Sequence, residues 1–423
     1  MCKIAVIGGG AAGMMVAIRL AENGFKPTIY EKNEKLGKKL FITGKGRCNL
    51  TNNCQTEDLF RNVVTNPKFM YSSFYGFDSQ KTMEFFEGLG LDIKTERGGR
   101  VFPTSDHSSD VISVLSTRLK RLGVDIRLNT TVTDILCHEE DGSKYIDGII
   151  VKNNDKNERI DCNNVIVATG GLSYPLTGST GDGLAWAKKL GIDVTAPRPS
   201  LVPMNIREDI CKALMGLSLK NVSLSYVAEV KGKDKKVYSD MGEMLFTHFG
   251  ISGPLVLSAS ACLGKYIDSN LRVYIDLKPA LTEEQLDARI LRDFGDNINK
   301  QFRNSLNDLL PRKLIPYIID ASGIDQYIKV NAISREDRKK LVHVIKNLEL
   351  HVEGFRGFDE AIITQGGIKV KELNPATMEV KHIPGLYFIG EVIDVDALTG
   401  GYNLQIAWST AVACADAFTE RNI

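Results

Sequence analysis

The sequence lacks both an apolar stretch long enough to cross a membrane and an amino-terminal export signal. Its longest apolar runs, such as 255–263, fall far short of the roughly 20 residues that a membrane-spanning helix needs. Met1 leads almost directly into glycines, whereas a secretory signal has a basic region followed by an apolar stretch. We therefore expect a cytoplasmic protein with no membrane partner, in which the eight cysteines are reduced thiols.

An excess of charge of one sign is also absent, because 53 Lys and Arg residues face 52 Asp and Glu residues. No overall field therefore attracts nucleic acid or an anionic membrane, and we expect neither as a partner. The cysteines and histidines form no CxxC pair and no zinc-like cluster, so no metal site is predicted. No repeat of 20 to 50 residues is present, which excludes solenoids and propellers.

The composition is that of an ordinary folded protein, with 43% hydrophobic and 25% charged residues in 423 positions. Strand and helix patterns alternate at both ends of the chain, which predicts an α/β domain. Between them, strand-like runs follow a Pro-rich segment, and helical patterns then dominate, among them Gln301–Leu310 and a helix capped by Thr282 and Gln285. We predict one discontinuous domain, 1–194 and 356–423, interrupted by an insert at 195–355 whose helical part spans about 281–345.

A glycine-rich loop follows the first predicted strand and begins the first helix. Its residues from Gly8 to Gly13 fit the pattern G-x-G-x-x-G, with Gly8, Gly10 and Gly13 at the conserved spacing of dinucleotide-binding loops. Backbone N–H groups and the helix dipole at such a loop favour a diphosphate. Glu31 ends the second strand, where a carboxylate accepts hydrogen bonds from an adenosine ribose. The pattern indicates a dinucleotide site and leaves NAD and FAD open.

Two later segments decide in favour of FAD. A predicted strand at 165–168 continues into Thr169, Gly170 and Gly171, and a second one ends at Gly390 and Glu391, with Asp394 in reach of a polyhydroxyl chain. Gly400 and Gly401 then lead into the last helix, so the N–H groups of 402–404 face an incoming ligand. Reduced flavin carries negative charge at its N1 side, which a helix N-terminus stabilises. We predict that Tyr402, Asn403 and Leu404 contact the flavin ring.

These motifs, together with Gly37–Leu40, Thr43–Asn52, Thr177–Gly183, Gly242–Pro254 and Thr364–Gly367, resemble the BaiN-type NAD(P)/FAD-dependent oxidoreductases along the whole chain. These are bacterial flavoproteins, some described as reductases of unsaturated 3-oxo bile acids and others as aminoacetone oxidases. The resemblance implies a glutathione-reductase-like FAD-binding Rossmann domain interrupted by a β-barrel and a small helical domain. It also implies FAD contacts at the following residues: Gly8, Gly10, Ala11, Ala12, Gly13, Glu31, Lys32, Gly46, Arg47, Cys48, Val132, Thr169, Gly390, Glu391, Gly401, Tyr402, Asn403 and Leu404.

The catalytic groups are less constrained by sequence. His248 lies in the β-rich insert and could protonate a substrate, and Tyr174 and Tyr402 could donate to a substrate carbonyl, although simple packing is an alternative for each. Cys48 and Cys54 lack the spacing of a flavin-linked redox pair, so we expect ordinary thiols. No second nucleotide fingerprint is present, so we expect either NAD(P)H as a transient donor or electrons that come from the substrate itself.

Three functions remain open at this point. The first is transfer of hydride from NAD(P)H through FAD to an α,β-unsaturated carbonyl compound, completed by a proton donor. The second is oxidation of a small amino ketone, with molecular oxygen reoxidising FAD. The third is an FAD-bearing RNA-modifying or non-catalytic binding protein, which the near-neutral charge disfavours.

Overall fold

The computed structural model describes residues 3–140, 143–153 and 156–422. It contains two compact units, the first formed by Met1–Ser200 and Gly357–Ile423 and the second by Leu201–Arg356. Residues 195–200 belong to a strand that pairs with Ile363–Ile368, so they lie within the first unit. No helix of the described residues is long and apolar enough to cross a membrane.

The strands are numbered in chain order. They are β1 (Ile4–Ile7), β2 (Pro27–Tyr30), β3 (Thr51–Asn52), β4 (Val63–Thr65), β5 (Ile93–Thr95), β6 (Arg100–Pro103), β7 (Asp125–Arg127), β8 (Thr131–Glu140), β9 (Ser143–Asn153), β10 (Lys156–Asp161), β11 (Asn164–Val167), β12 (Val194–Ser200), β13 (Met204–Ile206), β14 (Ser218–Val230), β15 (Lys233–Phe246), β16 (Gly250–Ser252), β17 (Arg272–Asp276), β18 (Leu348–Phe355), β19 (Ile363–Ile368), β20 (Leu386–Phe388) and β21 (Asp396–Ala397).

The α-helices are numbered in the same way. They are α1 (Ala11–Glu22), α2 (Lys38–Ile42), α3 (Thr56–Asn62), α4 (Tyr71–Gly76), α5 (Ser79–Gly88), α6 (Ser108–Arg121), α7 (Asp182–Lys189), α8 (Ile210–Ala213), α9 (Pro254–Leu263), α10 (Glu283–Gly295), α11 (Ile315–Ser322), α12 (Arg335–Lys346) and α13 (Tyr402–Asn422).

A parallel sheet in the order β20-β11-β1-β2-β7 forms the centre of the first unit. Its inner strands β1 and β11 are short, almost wholly apolar runs and are buried, as expected for strands covered on both faces. Helices α1 and α13 lie against each other and contribute many fully buried residues to the same core. The predicted Rossmann-type α/β fold is confirmed.

The strand register gathers the sequence motifs at one edge of this sheet. Ile7 pairs with Tyr30 and with Val167, and Val167 pairs in turn with Phe388. Because the strands are parallel, the segments that follow these four residues leave the sheet on the same side. The edge therefore brings together residues that are more than 350 positions apart in the chain.

The second unit contains a closed barrel in the order β13-β16-β15-β14-β17-β18. Helices α10, α11 and α12 occur between β17 and β18 and share one hydrophobic core with the barrel strands. The β-barrel and helical insert predicted from the sequence are thus present. At the start of α10 the predicted capping box is confirmed, because Thr282 and Gln285 each bond the other's backbone N–H.

The helix predicted at Gln301–Leu310 is wrong. This segment contains only a short 3-10 turn at Phe302–Asn304. The Ser305 hydroxyl donates to the Phe302 carbonyl and the Asn307 amide to the Asn304 carbonyl, so side chains compete locally with helical bonding. Pro311 follows directly and disfavours helical backbone at the residue before it.

Replacing Thr282 with alanine removes the hydroxyl that accepts from the Gln285 N–H and leaves the bond from the residue 282 N–H to the Gln285 side chain. We expect T282A to lower the free energy of unfolding by about 1 kcal/mol, as for other lost N-caps. Urea unfolding followed by circular dichroism measures the change. T282S retains a hydroxyl acceptor and is the matched control; an equal loss in T282S contradicts this account of the cap.

Candidate functional site

A cavity in the first unit opens at the sheet edge where the sequence motifs meet. Its walls come from the glycine loop, the ends of β2, β11 and β20, helix α2 and the start of α13. The predicted cofactor residues that line it are Gly8, Gly10, Ala11, Ala12, Glu31, Lys32, Val132, Thr169, Gly170, Glu391, Asn403 and Leu404. Segments from both ends of the chain therefore contribute to one binding surface.

The glycine loop has a different physical requirement at each glycine. Gly8 has φ +104°, and a Cβ there would lie 2.6 Å from the Ala168 carbonyl oxygen. A Cβ at Gly13 would lie 1.9 Å from the Gly8 carbonyl oxygen, so only glycine lets α1 start this close to the loop. At Gly10, by contrast, a Cβ would meet no atom within 4 Å, although Gly10 lines the cavity. The space over Gly10 is therefore left open by the protein.

Glu31 connects the end of β2 to the glycine loop. Its carboxylate is buried and accepts a hydrogen bond from the Gly9 N–H at 2.7 Å and two from Asn33, through its backbone and side-chain nitrogens. Lys32, the next residue, bonds Thr180 at 2.6 Å and Asp182 at 2.7 Å. These contacts hold the carboxylate and the ammonium group at the rim of the cavity in fixed positions.

Glu391 is the centre of a second hydrogen-bond cluster on the cavity wall. It accepts from the Lys39 ammonium at 2.9 and 2.6 Å, from the Ser173 hydroxyl at 2.9 Å and from the Thr364 N–H at 2.9 Å. Lys39 also bonds Ser173. The side chains of Lys39 and Glu391 are only 23% and 22% exposed, so solvent screens this pair incompletely. We call Lys39, Ser173, Thr364 and Glu391 the Lys39–Glu391 cluster.

The start of α13 forms another wall. Gly401 has φ +101°, and a Cβ there would lie 2.4 Å from the Thr51 carbonyl group, so the turn packs directly on β3. The first helical bond runs from the Gln405 N–H to the Gly401 carbonyl, which leaves the N–H groups of 402–404 without acceptors in the helix. Asn403 bonds the backbone of Ala397 in both directions and thereby orients this end.

The lining fits the FAD that the sequence predicts. The open space over Gly10 suits a diphosphate close to the backbone, with the N-terminus of the 12-residue helix α1 next to it. The Thr169 hydroxyl oxygen lies buried without a hydrogen-bond partner among the described residues, and Thr169 lines the cavity. A buried hydroxyl of this kind needs a partner, which a bound polar ligand provides.

Other predicted cofactor residues lie close to the cavity without lining it. Gly13 packs against the Gly8 carbonyl, and a Cβ at Gly390 would lie 2.9 Å from the Ala12 Cβ. Asp394 is buried and accepts from the Thr195 hydroxyl at 2.6 Å. Gly401 and Tyr402 lie at the start of α13, next to the lining residue Asn403.

The predicted cofactor residues of the turn at 46–48 are not among the residues that line the cavity. The Arg47 guanidinium bonds Asp106 at 2.8 Å, pairs with Glu96 and lies 4.1 Å above the Phe102 ring, so three partners of the protein hold it. Gly46 has φ +84°, and Cys48 is fully buried, which raises the pKa of its thiol strongly. Burial raises the pKa of Cys54 to about 11, and both thiols are free.

The three predicted catalytic residues are not among the residues that line the cavity. Tyr174 is half-buried, and burial together with Glu360 raises the pKa of its phenol. His248 is exposed in the second unit, in the turn between β15 and β16, with its ring edge-on to Phe249 at 5.0 Å. Tyr402 is half-buried, and burial raises the pKa of its phenol to about 12, with a smaller contribution from Cys54 and Asp58.

The site residues predicted from the sequence do not include Lys39, Ser173 or Thr364. Lys39 occurs in a charge run that is typical of a solvated face, and its ion pair with Glu391, 352 positions away, distinguishes it from the neighbouring Lys38, which pairs with Glu34. Thr364 fixes the backbone, since its hydroxyl accepts from the N–H groups of Leu172 and Ser173 at 2.7 and 3.0 Å. The one available signal was the position of these residues within glycine-containing motifs.

Comparison with known proteins identifies relatives over the full length. The model of the HI0933-like protein Rossmann domain matches residues 2–417. A 3-dehydro-bile acid delta(4,6)-reductase of Clostridium scindens is 30% identical, with all of both chains covered. A ribosomal RNA dihydrouridine synthase of Haemophilus influenzae is 33% identical over 97% of this chain and 96% of the relative.

Among solved structures, a 3-ketosteroid delta1-dehydrogenase from Sterolibacterium denitrificans superimposes with a TM-score of 0.53 and 14% identity, covering all of both chains. At this identity the likeness concerns the fold alone. It agrees with the Rossmann-type architecture described above.

Alanine at Gly10 and at Gly13 should have opposite effects. In G13A the added Cβ meets the Gly8 carbonyl, and we expect a loss of about 1 to 3 kcal/mol in the free energy of unfolding of the apoprotein, as for other overpacked sites. In G10A the Cβ meets no protein atom, so the apoprotein keeps its stability while FAD affinity falls at least tenfold. Urea unfolding and quenching of FAD fluorescence measure the two quantities. Unchanged FAD affinity in G10A contradicts the placement of the diphosphate.

The Lys39–Glu391 cluster predicts coupled effects on cofactor binding. We expect K39M to weaken FAD binding about tenfold or more, because it leaves the poorly screened Glu391 carboxylate without its cation. The double variant K39M/E391Q should lose less than the sum of the two single losses, since the pair acts as a unit. Titration of the apoproteins with FAD tests this. Strictly additive losses contradict the coupling, and K68M, which changes an exposed lysine, is the control.

Proposed function

The chain belongs to the HI0933-like family of FAD-dependent oxidoreductases, and we propose that it reduces a carbon–carbon double bond conjugated to a carbonyl group, with NAD(P)H as the electron donor. The observation that supports this most is the cavity at the sheet edge, in which segments from the two ends of the chain supply residues expected to contact FAD.

The names of the two relatives describe one kind of chemistry. A 3-dehydro-bile acid delta(4,6)-reductase acts on ring double bonds in a substrate that has a 3-oxo group. A dihydrouridine synthase saturates the C5=C6 bond of uracil, which is conjugated to the C4 carbonyl. Saturation of such a bond adds a hydride to the electron-poor carbon, which is β to the carbonyl in uracil and β or δ in a conjugated dienone, and a proton to the carbon next to it. Conjugate reduction is therefore the reaction class that both relatives support.

FAD, when bound, supplies the hydride that the substrate receives. In our proposal the N–H groups around Gly10 bind its diphosphate, and Glu31, Lys32 and Val132 contact the adenosine part. Thr169, Gly170 and Glu391 face the chain between diphosphate and ring, with Asp394 behind them. The α13 N-terminus stabilises negative charge on the reduced ring.

The phenol of Tyr402 is our candidate for the proton donor. Tyr402 starts the same helix as the lining residues Asn403 and Leu404, and its raised pKa keeps the hydroxyl protonated throughout the neutral range. Tyr174 and His248 remain the alternatives from the sequence. The donor would visit the flavin transiently, because the sequence contains one dinucleotide fingerprint.

Uridine in ribosomal RNA is a second candidate substrate beside a small enone. It is favoured by the relatives from Haemophilus influenzae and from Escherichia coli, which share 33% and 28% identity with this chain and carry the same name. The cavity chemistry is the same for both substrates, so the choice depends on surfaces outside the cofactor site.

The reaction is tested by anaerobic reduction of the purified flavoprotein. We expect NADH or NADPH to bleach the flavin absorbance, and an unsaturated 3-oxo bile acid or deproteinised ribosomal RNA to restore it before oxygen is admitted. If both nicotinamides fail while aminoacetone bleaches the flavin, the protein is an amine oxidase and the proposal is wrong.

Replacing Tyr402 with phenylalanine separates proton donation from hydride transfer to the flavin. We expect Y402F to bind FAD and to accept electrons from NAD(P)H normally, and to lose 100-fold or more in substrate reduction, within the range for general acid catalysis. Since the pKa of Tyr402 is raised to about 12, the group is protonated below that pH, and the native rate should show no fall from this residue between pH 6 and 9. Y174F is the matched comparison, and a larger loss in Y174F would assign the proton to Tyr174 instead.

A further inference from the structure

The turn between β14 and β15 carries a dense group of lysines in the second unit. Lys231, Lys233, Lys235 and Lys236 occur within six positions and all four are exposed. We call these four residues the basic hairpin tip. The paired strands are 13 and 14 residues long, and β17 pairs with β14 only as far as Val227. In the described part of the chain, residues 233–236 therefore have β14 as their only strand neighbour.

The charges of the basic hairpin tip are not neutralised by the protein. None of its four ammonium groups lies within 4 Å of a carboxylate of the residues that the structure describes. Asp234 is the one acid inside the run, and it pairs with Arg272 instead. Four unpaired charges of one sign on a narrow ribbon repel one another, and a polyanion removes this repulsion. The overall charge of +1 conceals this local excess.

The composition of the tip selects among polyanionic partners. Residues 231–236 contain no apolar side chain, so nothing there could insert into a lipid bilayer beside the charges. Lys233 and Lys235 lie on one face of β15, roughly 7 Å apart at the usual rise of a strand. This spacing is of the same order as that between neighbouring phosphates of a nucleic-acid strand. Lysines at a sheet edge also prevent aggregation, but that purpose does not need four of them in six positions.

We propose that the basic hairpin tip binds the phosphate backbone of folded RNA. The ribbon supplies charge without base-reading side chains, so it contributes affinity and orientation and leaves sequence selection to other surfaces. One consequence rests on the proposed function: the conjugated double bond that the enzyme reduces belongs to a base of that RNA.

The test compares two variants of the FAD-loaded full chain that carry the same change in net charge. One replaces the four tip lysines with glutamine (K231Q, K233Q, K235Q and K236Q). The control replaces four exposed lysines of the first unit (K26Q, K81Q, K120Q and K188Q). The probe is deproteinised bacterial ribosomal RNA, and binding is measured by filter retention at several salt concentrations.

We expect the tip variant to bind this RNA on the order of 100-fold more weakly near physiological salt. A plot of the logarithm of its association constant against the logarithm of the salt concentration should be shallower by about three than that of the native protein. The control should lose less than about threefold. Absence of RNA binding by the native protein, or equal losses in both variants, overturns the inference. So does a loss confined to binding of phosphatidylserine vesicles, which would make the tip a lipid contact.

Reduction of the flavin by NAD(P)H and turnover of a small enone are measured on the same two variants. Both should be unchanged, since the tip residues take no part in the cofactor cavity. If no double bond is reduced while the tip-dependent RNA binding persists, the proposed function fails and the RNA contact stands. If reduction proceeds and RNA binding does not depend on the tip, the opposite holds.

Discussion

Close approach of backbone to backbone at positions where no side chain fits is the constraint on which the cofactor cavity depends. Gly8 lies against Ala168, and Gly401 lies against Thr51, in each case nearer than a Cβ would permit. The first contact joins the glycine loop to β11, and the second joins the start of α13 to β3. Each of these contacts joins two segments that lie far apart in the chain. The binding surface is thus a product of tertiary packing, although its motifs are local.

The electrostatics of the cavity follow from how its charges are paired. Glu31 is satisfied by N–H donors of the loop and of Asn33, whereas Glu391 is compensated by the cation of Lys39. The wall facing the predicted diphosphate therefore carries backbone donors and little free negative charge. Lys39 neutralises the Glu391 carboxylate, so this pair adds no net negative charge to the cavity wall. An arrangement of this kind favours a ligand that is both anionic and rich in hydroxyl groups.

The sequence predicted the fold class and the glycine contacts because these are written in short, local patterns. Gly8 and Gly13 could be assigned from spacing alone. The spacing of Thr282 and Gln285 correctly predicted the capping box of α10. Lys39 could not be identified, since its partner Glu391 is 352 positions away and a charge run gives no sign of which lysine pairs with a distant carboxylate. The helix predicted at Gln301–Leu310 failed for a related reason. Its apolar spacing is suitable, but Ser305 and Asn307 bond the backbone locally and the structure follows those bonds.

In the proposed function, the reaction and the choice of substrate depend on different residues. The residues to which we assign a part in the proposed reduction through the cofactor, from Gly10 to the N–H groups at the start of α13, lie in the first unit. These features interact with the cofactor and are indifferent to whether the conjugated carbonyl belongs to a steroid ring or to uracil. A family with this arrangement can change substrate without altering its flavin site, provided that other surfaces change. The long β14–β15 hairpin is such a surface, because its lysines are not required by the barrel that carries them. Relatives with the same cavity and different substrates should therefore differ most in surfaces of this kind.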